Sequence, residues 1–438
     1  MRTLTDRIVP LVLAAGLAAG SPLAAHDQIP GAVQDRPILL RGGTLYTVSD
    51  GILEDTDLLF EEGKITAIGK DLSPPEDAEV IDVAGKNVYP GLIATISTLG
   101  LTEIGAVRAT HDQAEVGEVT PEVAAHVAWN PDSELIPTVR NHGITTAQIV
   151  PLGSLIRGRS FVTHLDGWTK EDAGLALEEG LFLEWPRAAV STAWWVRSSP
   201  EEQKKRMQER RDRLEDAFDE AEAYRKAKEA NADLPVDLRW EAMLPVLAGE
   251  KPLYVDADDY RQMVEAVAFA EARGLDLVIT GARDAHMLAD FLAEHEVPVI
   301  LGTVQSRPMR QGDGYDTPFR TPAVLHEAGV TFALSRPGSW RGRDLPFQAG
   351  QAMAFGLPEE AAIRAMTLTP ARLLGIDDRE GSLEVGKDAT LFVSTGDVTD
   401  ALTQDVIRVW IRGRPVDLDD KQRELYRKYE EKLERRAD

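Results

Sequence analysis

Histidine side chains are the groups in this chain best suited to bind a metal ion, but their spacing forms no recognisable metal site. Two histidines one residue apart on a strand point to the same side, where both can bind one zinc ion. The eight histidines show neither that spacing nor the His-Glu-x-x-His pattern of a zinc-binding helix. His164 is the best placed of them, near the end of a predicted strand. A lone histidine is otherwise expected to be an ordinary core or surface residue.

The size and charge of the chain exclude one broad class of function. With 438 residues, it is long enough for a barrel of about 250 residues and a smaller unit. The formal charge of −25 excludes nucleic-acid binding, which needs a basic surface, and disfavours docking to anionic lipid. The absence of cysteine means that core burial, without disulfides, must stabilise the fold.

The first residues have the pattern of a secretory signal. Arg2 and Arg7 precede or flank an apolar run at 8–19, and small residues at 23–25 provide a cleavage site. We therefore expect an exported protein, periplasmic or secreted, with no membrane attachment after cleavage; a retained anchor is the alternative.

The remaining sequence predicts one barrel and one discontinuous β domain. Between residues 89 and 378, short apolar runs alternate with helical patterns, which is typical of βαβ units. Short strands punctuated by glycine, aspartate and proline occur on both sides of that region. The fourth barrel strand is the least distinct and is expected within residues 182–192. The predicted units are a signal peptide (1–25), two halves of the β domain (36–88 and 379–418), the barrel (89–378) with a helical insertion (199–231), and a charged helix (419–438).

Several motifs resemble the amidohydrolase superfamily, in particular its imidazolonepropionase-like and prolidase-like branch. They are the strand PGLIATISTL at 90–99, the segment TLTPARLLG at 367–375, the hairpin GSLEVGKDATL at 381–391 and the early strand GKITAIG at 63–69. The resemblance implies a (β/α)8 barrel of the TIM type, flanked by a β-sandwich made from both chain ends. It also implies hydrolysis of C–N bonds other than ordinary peptide bonds, with zinc or another divalent metal.

The ligand positions implied by the resemblance do not carry the family's ligands. The first strand of the family has two histidines, where this chain has Ile96 and Thr98. The histidine positions of strands five and six correspond to Asp256 and Thr280, and Arg336 follows strand eight, where the family has an aspartate. Glu184 lies in the uncertain region of strand four. Two carboxylates and an arginine are a poor set of metal ligands, so we expect no metal cofactor.

The polar residues that remain at and near these positions could have structural or binding roles instead. Asp256 and Arg336 could form a structural ion pair or, together with His164, line a pocket for a polar ligand. The arginines of the segment RGR at 157–159 could receive an anion.

Three hypotheses for function follow. The first is an exported, non-catalytic relative that acts as a partner or binding protein, as a homo-oligomer or a hetero-oligomer with an intact amidohydrolase. The second is an active hydrolase with a non-standard site. The third is a periplasmic module that binds a small molecule at the barrel mouth.

Overall fold

The computed structural model describes residues 29–437, so the predicted signal peptide lies outside the described residues. Within that range the strands are β1 (Ile38–Tyr46), β2 (Ile52–Glu61), β3 (Lys64–Gly69), β4 (Glu79–Asp82), β5 (Asn87–Pro90), β6 (Leu92–Ser97), β7 (Ile144–Ile149), β8 (Ile156–His164), β9 (Gly174–Glu184), β10 (Leu253–Ala257), β11 (Leu277–Gly281), β12 (Val299–Leu301), β13 (Phe332–Leu334), β14 (Leu391–Ser394), β15 (Val406–Ile411) and β16 (Arg414–Pro415).

The α-helices lie mainly between the barrel strands. They are α1 (Ala125–Ala128), α2 (Leu135–Arg140), α3 (Lys170–Ala173), α4 (Pro200–Ala230), α5 (Leu238–Glu241), α6 (Leu244–Leu247), α7 (Tyr260–Arg273), α8 (Ala289–Glu294), α9 (Thr317–Glu327), α10 (Leu345–Ala354), α11 (Glu359–Arg364), α12 (Leu368–Leu373) and α13 (Lys421–Ala437). None of the helices in the described residues has the length and apolar character needed to cross a membrane.

Strands from both ends of the chain form one sheet, as predicted. Its order is β16-β15-β14-β5-β1-β2-β3, with β4 paired to β1. Strand β5 pairs in parallel with β1 and antiparallel with β14, so it joins the N-terminal and C-terminal halves. One face of the sheet buries a separate apolar cluster that includes Phe60, Val88 and Trp410. Burial of these side chains holds the two chain ends together.

The remaining eight strands form a nearly closed barrel in chain order from β6 to β13, which confirms the predicted fold class. The seam between β6 and β13 is closed by a bridge from Ser97 to Gly338 and by a 2.7 Å hydrogen bond from Ser335 Oγ to the Thr95 carbonyl. Alternate residues face inward, and those of one layer (Ile93, Val162, Phe182, Tyr254, Val278, Ile300 and Ala333) form the barrel core.

Strand β8 departs from the expected topology, because it runs antiparallel to both of its neighbours. The chain crosses from β7 to β8 through residues 150–155 and returns through residues 165–173, which is too short for a helical crossover of the usual kind. Its first residue, Ile156, therefore lies beside Leu183 at the carboxyl end of β9. This reversal places residues of β8 at the barrel mouth that a parallel strand would place at the opposite end.

The fourth barrel strand begins earlier than predicted. It spans Gly174–Glu184, whereas the sequence analysis placed it within residues 182–192. Two consecutive glutamates followed by glycine interrupt its apolar pattern, and this made the strand difficult to detect. One of them, Glu179, is buried and forms a 2.5 Å ion pair with Lys251. A local ion pair thus allows a charged residue within the strand.

Helix α4 covers most of the predicted helical insertion. Ser199 and Glu202 form a capping box at its start, with Pro200 in the first turn. A narrow stripe of buried residues that includes Leu214, Phe218 and Tyr224 attaches it to the body, and the Phe218 ring packs edge-on against Phe269 of α7 at 5.1 Å.

Candidate functional site

Three polar side chains meet at the carboxyl ends of adjacent strands. Asp256 on β10 is in register with Glu184 on β9 and with Thr280 on β11. Each lies two residues after an inward-facing core residue of its strand, so all three side chains face the barrel interior. These are the positions at which the strand ends of a barrel usually form a site.

Arg157 lies between the two carboxylates. Its Nη2 atom donates to Asp256 Oδ2 at 3.0 Å and to Glu184 Oε2 at 3.2 Å. The Arg157 side chain is only 12% exposed, whereas the carboxylate side chains are 41% exposed for Glu184 and 38% for Asp256. Arg157 reaches the mouth because β8 is reversed. From the sequence, the arginines of the 157–159 segment are expected at most to receive an anion; their pairing with these carboxylates depends on the direction of the strand and was not predicted.

Arg336 does not pair with Asp256, contrary to one expectation from the sequence. Its Nη1 atom donates to Thr303 Oγ1 at 3.3 Å, and its Nε atom lies 4.0 Å from Asp344 Oδ2. Burial lowers the pKa of Arg336, with a smaller opposing effect from Asp344. The residue belongs to the rim beside strands β12 and β13, because Asp344 and Thr303 both lie in connections that follow those strands.

His164 lies far from this group of residues along the barrel axis. It is in register with Thr146 near the start of β7, at the amino end of the parallel strands. Its Nε2 atom is 2.7 Å from Glu380 Oε1, and both residues are almost completely buried. Thr390 Oγ1 also donates to Glu380 Oε1 at 3.0 Å. The expected placement of His164 at the barrel mouth was wrong because it assumed a parallel β8.

The two positions on the first strand belong to the barrel wall. Ile96 has a φ of 54° at a register shift between Ala94 and Ser97, which is an unusual conformation for a β-branched residue. Thr98 is buried, and its backbone N–H donates to the Gly338 carbonyl at 3.2 Å. Neither side chain provides a nitrogen, sulfur or carboxylate ligand.

A third carboxylate, Asp258, extends the acidic group outside the strand end. Desolvation by burial raises its pKa to about 6, and the nearby charge of Asp256 adds to that effect. A Cβ atom placed on Gly281 would lie 2.8 Å from Asp258 Oδ1 and 3.0 Å from Asp256 Oδ1, so both carboxylates approach this glycine closely. Gly281 has a φ of 80°. These residues adjoin an open cleft of about 480 Å³ that is lined by Arg157, Glu184, Asp256, Asp258 and six further residues.

These residues do not fit the divalent metal that the family resemblance implies. In the part of the chain that the structure describes, no three histidine, cysteine, aspartate or glutamate side chains are grouped so that they could hold a metal ion. Glu184 and Asp256 are already paired with a guanidinium group, whose positive charge would repel a cation. Thr280 offers only a hydroxyl, a poor ligand for zinc.

The sequence of this chain is similar to those of amidohydrolases. The model of the amidohydrolase family matches residues 319–416. An amidohydrolase from Hapsidospora irregularis is 24% identical over 401 residues, which are 82% of this chain and 39% of that protein. This chain therefore spans well under half the length of that relative.

Two solved structures resemble the whole described fold. The crystal structure of an amidohydrolase from Thermotoga maritima MSB8 has a TM-score of 0.75 and 27% identity, and the match covers 87% of this chain and 99% of that one. A prolidase in complex with N-methylphosphonate-L-proline has a TM-score of 0.52 and 16% identity over the same fractions of the two chains. The second likeness shows the fold alone.

Proposed function

Because this chain belongs to the amidohydrolase superfamily, we propose that it is an exported member that no longer hydrolyses C–N bonds and acts as a non-catalytic partner or binding protein. The metal-dependent members of the family use the metal to lower the pKa of a bound water. In this chain the barrel is retained, but an ion-pair group takes the place of the metal site at the carboxyl ends of its strands.

The single observation that carries the proposal is the position of Arg157. Its guanidinium group bridges the strand-four and strand-five carboxylates at 3.2 and 3.0 Å. It thereby supplies the positive charge that these carboxylates would otherwise obtain from a metal ion. A guanidinium group stays protonated and has no free orbital for a water molecule, so it can balance charge but cannot generate hydroxide.

The surrounding residues provide a candidate general base but no metal ion to act beside it. Asp258, with a pKa of about 6, is the best general base at the mouth. In the metal-dependent members the metal also polarises the substrate carbonyl, and the side chains of Ile96, Thr98 and Thr280 are poorly suited to hold such a metal. These residues are therefore better suited to form ion pairs with one another and to contact a ligand than to hydrolyse a C–N bond.

Two further observations support a role beside another protein. The matched region is 39% of the Hapsidospora irregularis amidohydrolase, so in that protein it is joined to a longer stretch of additional chain. In this chain, the signal-like pattern at residues 1–25 supports export, and so a partner that is also exported. An intact amidohydrolase is the partner that the family resemblance favours.

Metal analysis and hydrolysis assays on the purified protein test the proposal directly. We expect well below one equivalent of zinc, manganese, iron or cobalt, before and after incubation with each metal, and no turnover of N-acyl dipeptides or cyclic amides. The matched variant Arg157→Ala should bind more divalent metal than the parent, because it frees both carboxylates. Near-stoichiometric metal in the parent, together with turnover, would refute the proposal.

The open cleft of about 480 Å³ favours a second candidate, a small-molecule binding module. Its lining combines arginine and carboxylate side chains, so a zwitterionic ligand such as an amino acid or dipeptide would suit it. Calorimetric titration with a dipeptide library measures the affinity of the cleft for such ligands. Binding that disappears in Asp258→Asn but persists in a variant outside the cleft, such as Glu424→Gln, would favour this candidate over the partner role.

A further inference from the structure

The C-terminal helix α13 is exposed along its whole described length. Its start is attached to the barrel: Thr138 Oγ1 donates to Gln422 Oε1 at 2.8 Å, and Asn141 Nδ2 donates to Asp420 Oδ2 at 2.8 Å. Beyond that start, the side chains of residues 423–435 form hydrogen bonds within the segment 419–435. A helix of 17 residues is about 25 Å long. Isolated helices of this length are only marginally stable in water, so a packing partner would stabilise it.

Apolar residues form one face of α13. Leu425, Tyr429 and Leu433 follow each other at intervals of four residues, and Tyr426 lies next to them on the same side. Their exposed fractions are 39%, 54%, 64% and 67%, respectively. We call these four residues the apolar stripe. Large side chains are seldom left exposed as a continuous stripe unless another molecule covers them.

The charge of α13 is opposite to that of the rest of the chain. The helix carries seven basic and four acidic residues, a net charge of +3, so the other residues account for −28 of the total of −25. Lys428 and Lys432 border the apolar stripe, and neither forms an ion pair within residues 29–437; Lys432 instead lies 5.3 Å from the centre of the Tyr429 ring. Such a helix is suited to an acidic surface.

A groove lies beside the base of the same helix. It has a volume of about 540 Å³ and is lined by residues 405–410, 415–418 and Arg423. Its lining includes the partly exposed Ile407, two aspartates (Asp405 and Asp417) and two arginines (Arg408 and Arg423). Neither aspartate forms an ion pair in the described part of the chain. Strand β15 pairs with the short β16 at Trp410 and Ile411, and the Val416 N–H donates to the Val409 carbonyl, so the outer edge of β15 is uncovered only at residues 406–408.

We propose that α13 docks into this groove on a second copy of the chain, with the apolar stripe over Ile407 and the two lysines beside Asp405 and Asp417. The helix and the groove adjoin each other on one molecule, so a two-fold axis between them would make both contacts at once. A membrane surface is the less favoured occupant, because the −28 charge of the remaining chain would be repelled by anionic lipid. The inference does not depend on whether the barrel is catalytic.

Sedimentation-velocity measurements on the full purified chain test the proposal. We expect a dimer for the parent, and a monomer for Leu425→Glu combined with Leu433→Glu and for Ile407→Lys. These positions are exposed, so the circular dichroism spectrum should be unchanged. The control, Glu424→Gln combined with Glu431→Gln on the opposite face of α13, should remain a dimer.

A charge exchange tests the orientation of the contact. Lys428→Glu should raise the dimer dissociation constant by about tenfold or more, and addition of Asp405→Lys should restore most of the loss. A monomeric parent, a dimer that persists in the apolar-stripe variant, or a charge exchange without recovery would overturn the proposal. Stripe-dependent binding of a monomer to phosphatidylglycerol vesicles would overturn it in favour of a membrane. Metal content and hydrolysis should be the same in all of these variants, so this test is independent of the proposed function.

Discussion

Replacement of Arg157 by methionine should destabilise the barrel mouth and leave two carboxylates without their cation. Methionine keeps the apolar stem and removes the charge. In the parent, Nη2 of Arg157 lies 3.0 Å from Asp256 and 3.2 Å from Glu184. Both carboxylates lie close to the position of Nη2, so in the variant, which lacks this nitrogen, they would repel each other.

These distances determine the expected loss of unfolding free energy in Arg157→Met. A pair of unit charges about 3 Å apart gains ~1.4 kcal/mol at the dielectric constant of water and ~5 kcal/mol at an effective value of ~20. The lower value applies because the two carboxylate side chains are 38% and 41% exposed. Two such contacts amount to roughly 3 kcal/mol, and the cost of desolvating the guanidinium group offsets part of this. We expect Arg157→Met to lose about 1–2 kcal/mol of unfolding free energy.

Urea unfolding near neutral pH is the appropriate assay. Addition of Asp256→Asn to the variant should recover stability, because it removes the repulsion with Glu184. Arg157→Lys keeps a charge with fewer donors and should lose less. The reasoning would be refuted by an unfolding free energy that is unchanged in Arg157→Met at neutral pH, or by a loss that the addition of Asp256→Asn does not reduce.

Three further predictions concern neighbouring residues. The pKa of Asp258 is raised from 3.8 to about 6, so its ionisation opposes folding increasingly as the pH rises from about 4 to 6, and fully above pH 6. Asp258→Asn should therefore add up to about 3 kcal/mol of unfolding free energy at pH 8 and nothing below pH ~4, as measured by urea unfolding. His164→Leu removes one of the two side-chain hydrogen bonds to the buried Glu380 Oε1 and leaves only that from Thr390, so it should cost about 1–3 kcal/mol, while the further change Glu380→Leu should recover part of it in a thermal unfolding series. Gly281→Ala forces a Cβ atom to 2.8 Å from Asp258 and should lower the unfolding free energy by more than about 1 kcal/mol; an unchanged melting temperature would contradict this.

The fold class could be predicted from the sequence because it depends on repeated local patterns. The strand at Leu92–Ser97 carries a family motif and lies where the prediction placed it, whereas of the predicted hairpin at 381–391 only Leu391 lies in a strand, β14. The two halves of the outer sheet are marked by short alternating strands at both chain ends, so their association in one domain could be predicted from the need to bury one face, but their edge pairing through β5 could not.

The composition of the barrel mouth could be predicted only in part. Asp256 and Thr280 were placed correctly on their strands because apolar runs of five residues define β10 and β11. The roles of Arg157 and His164 could not be obtained, since an apolar strand has the same alternating pattern in either direction. That direction decides which end of β8 reaches the mouth. The pairing of Arg336 with Thr303 likewise depends on connections whose course has no periodic signal.

The reversal of β8 also bears on how the barrel folds. Pairing of β9 with β10 requires closure of the long segment 185–252, whereas β7, β8 and β9 are joined by residues 150–155 and 165–173 alone. Short connections lose less chain entropy on closure and favour faster contact formation. We expect the backbone amides of this three-stranded meander to gain protection earliest in pulse-labelled hydrogen exchange during refolding. A barrel of parallel strands would lack such a local starting point, so the reversed strand gives this chain a folding nucleus of its own.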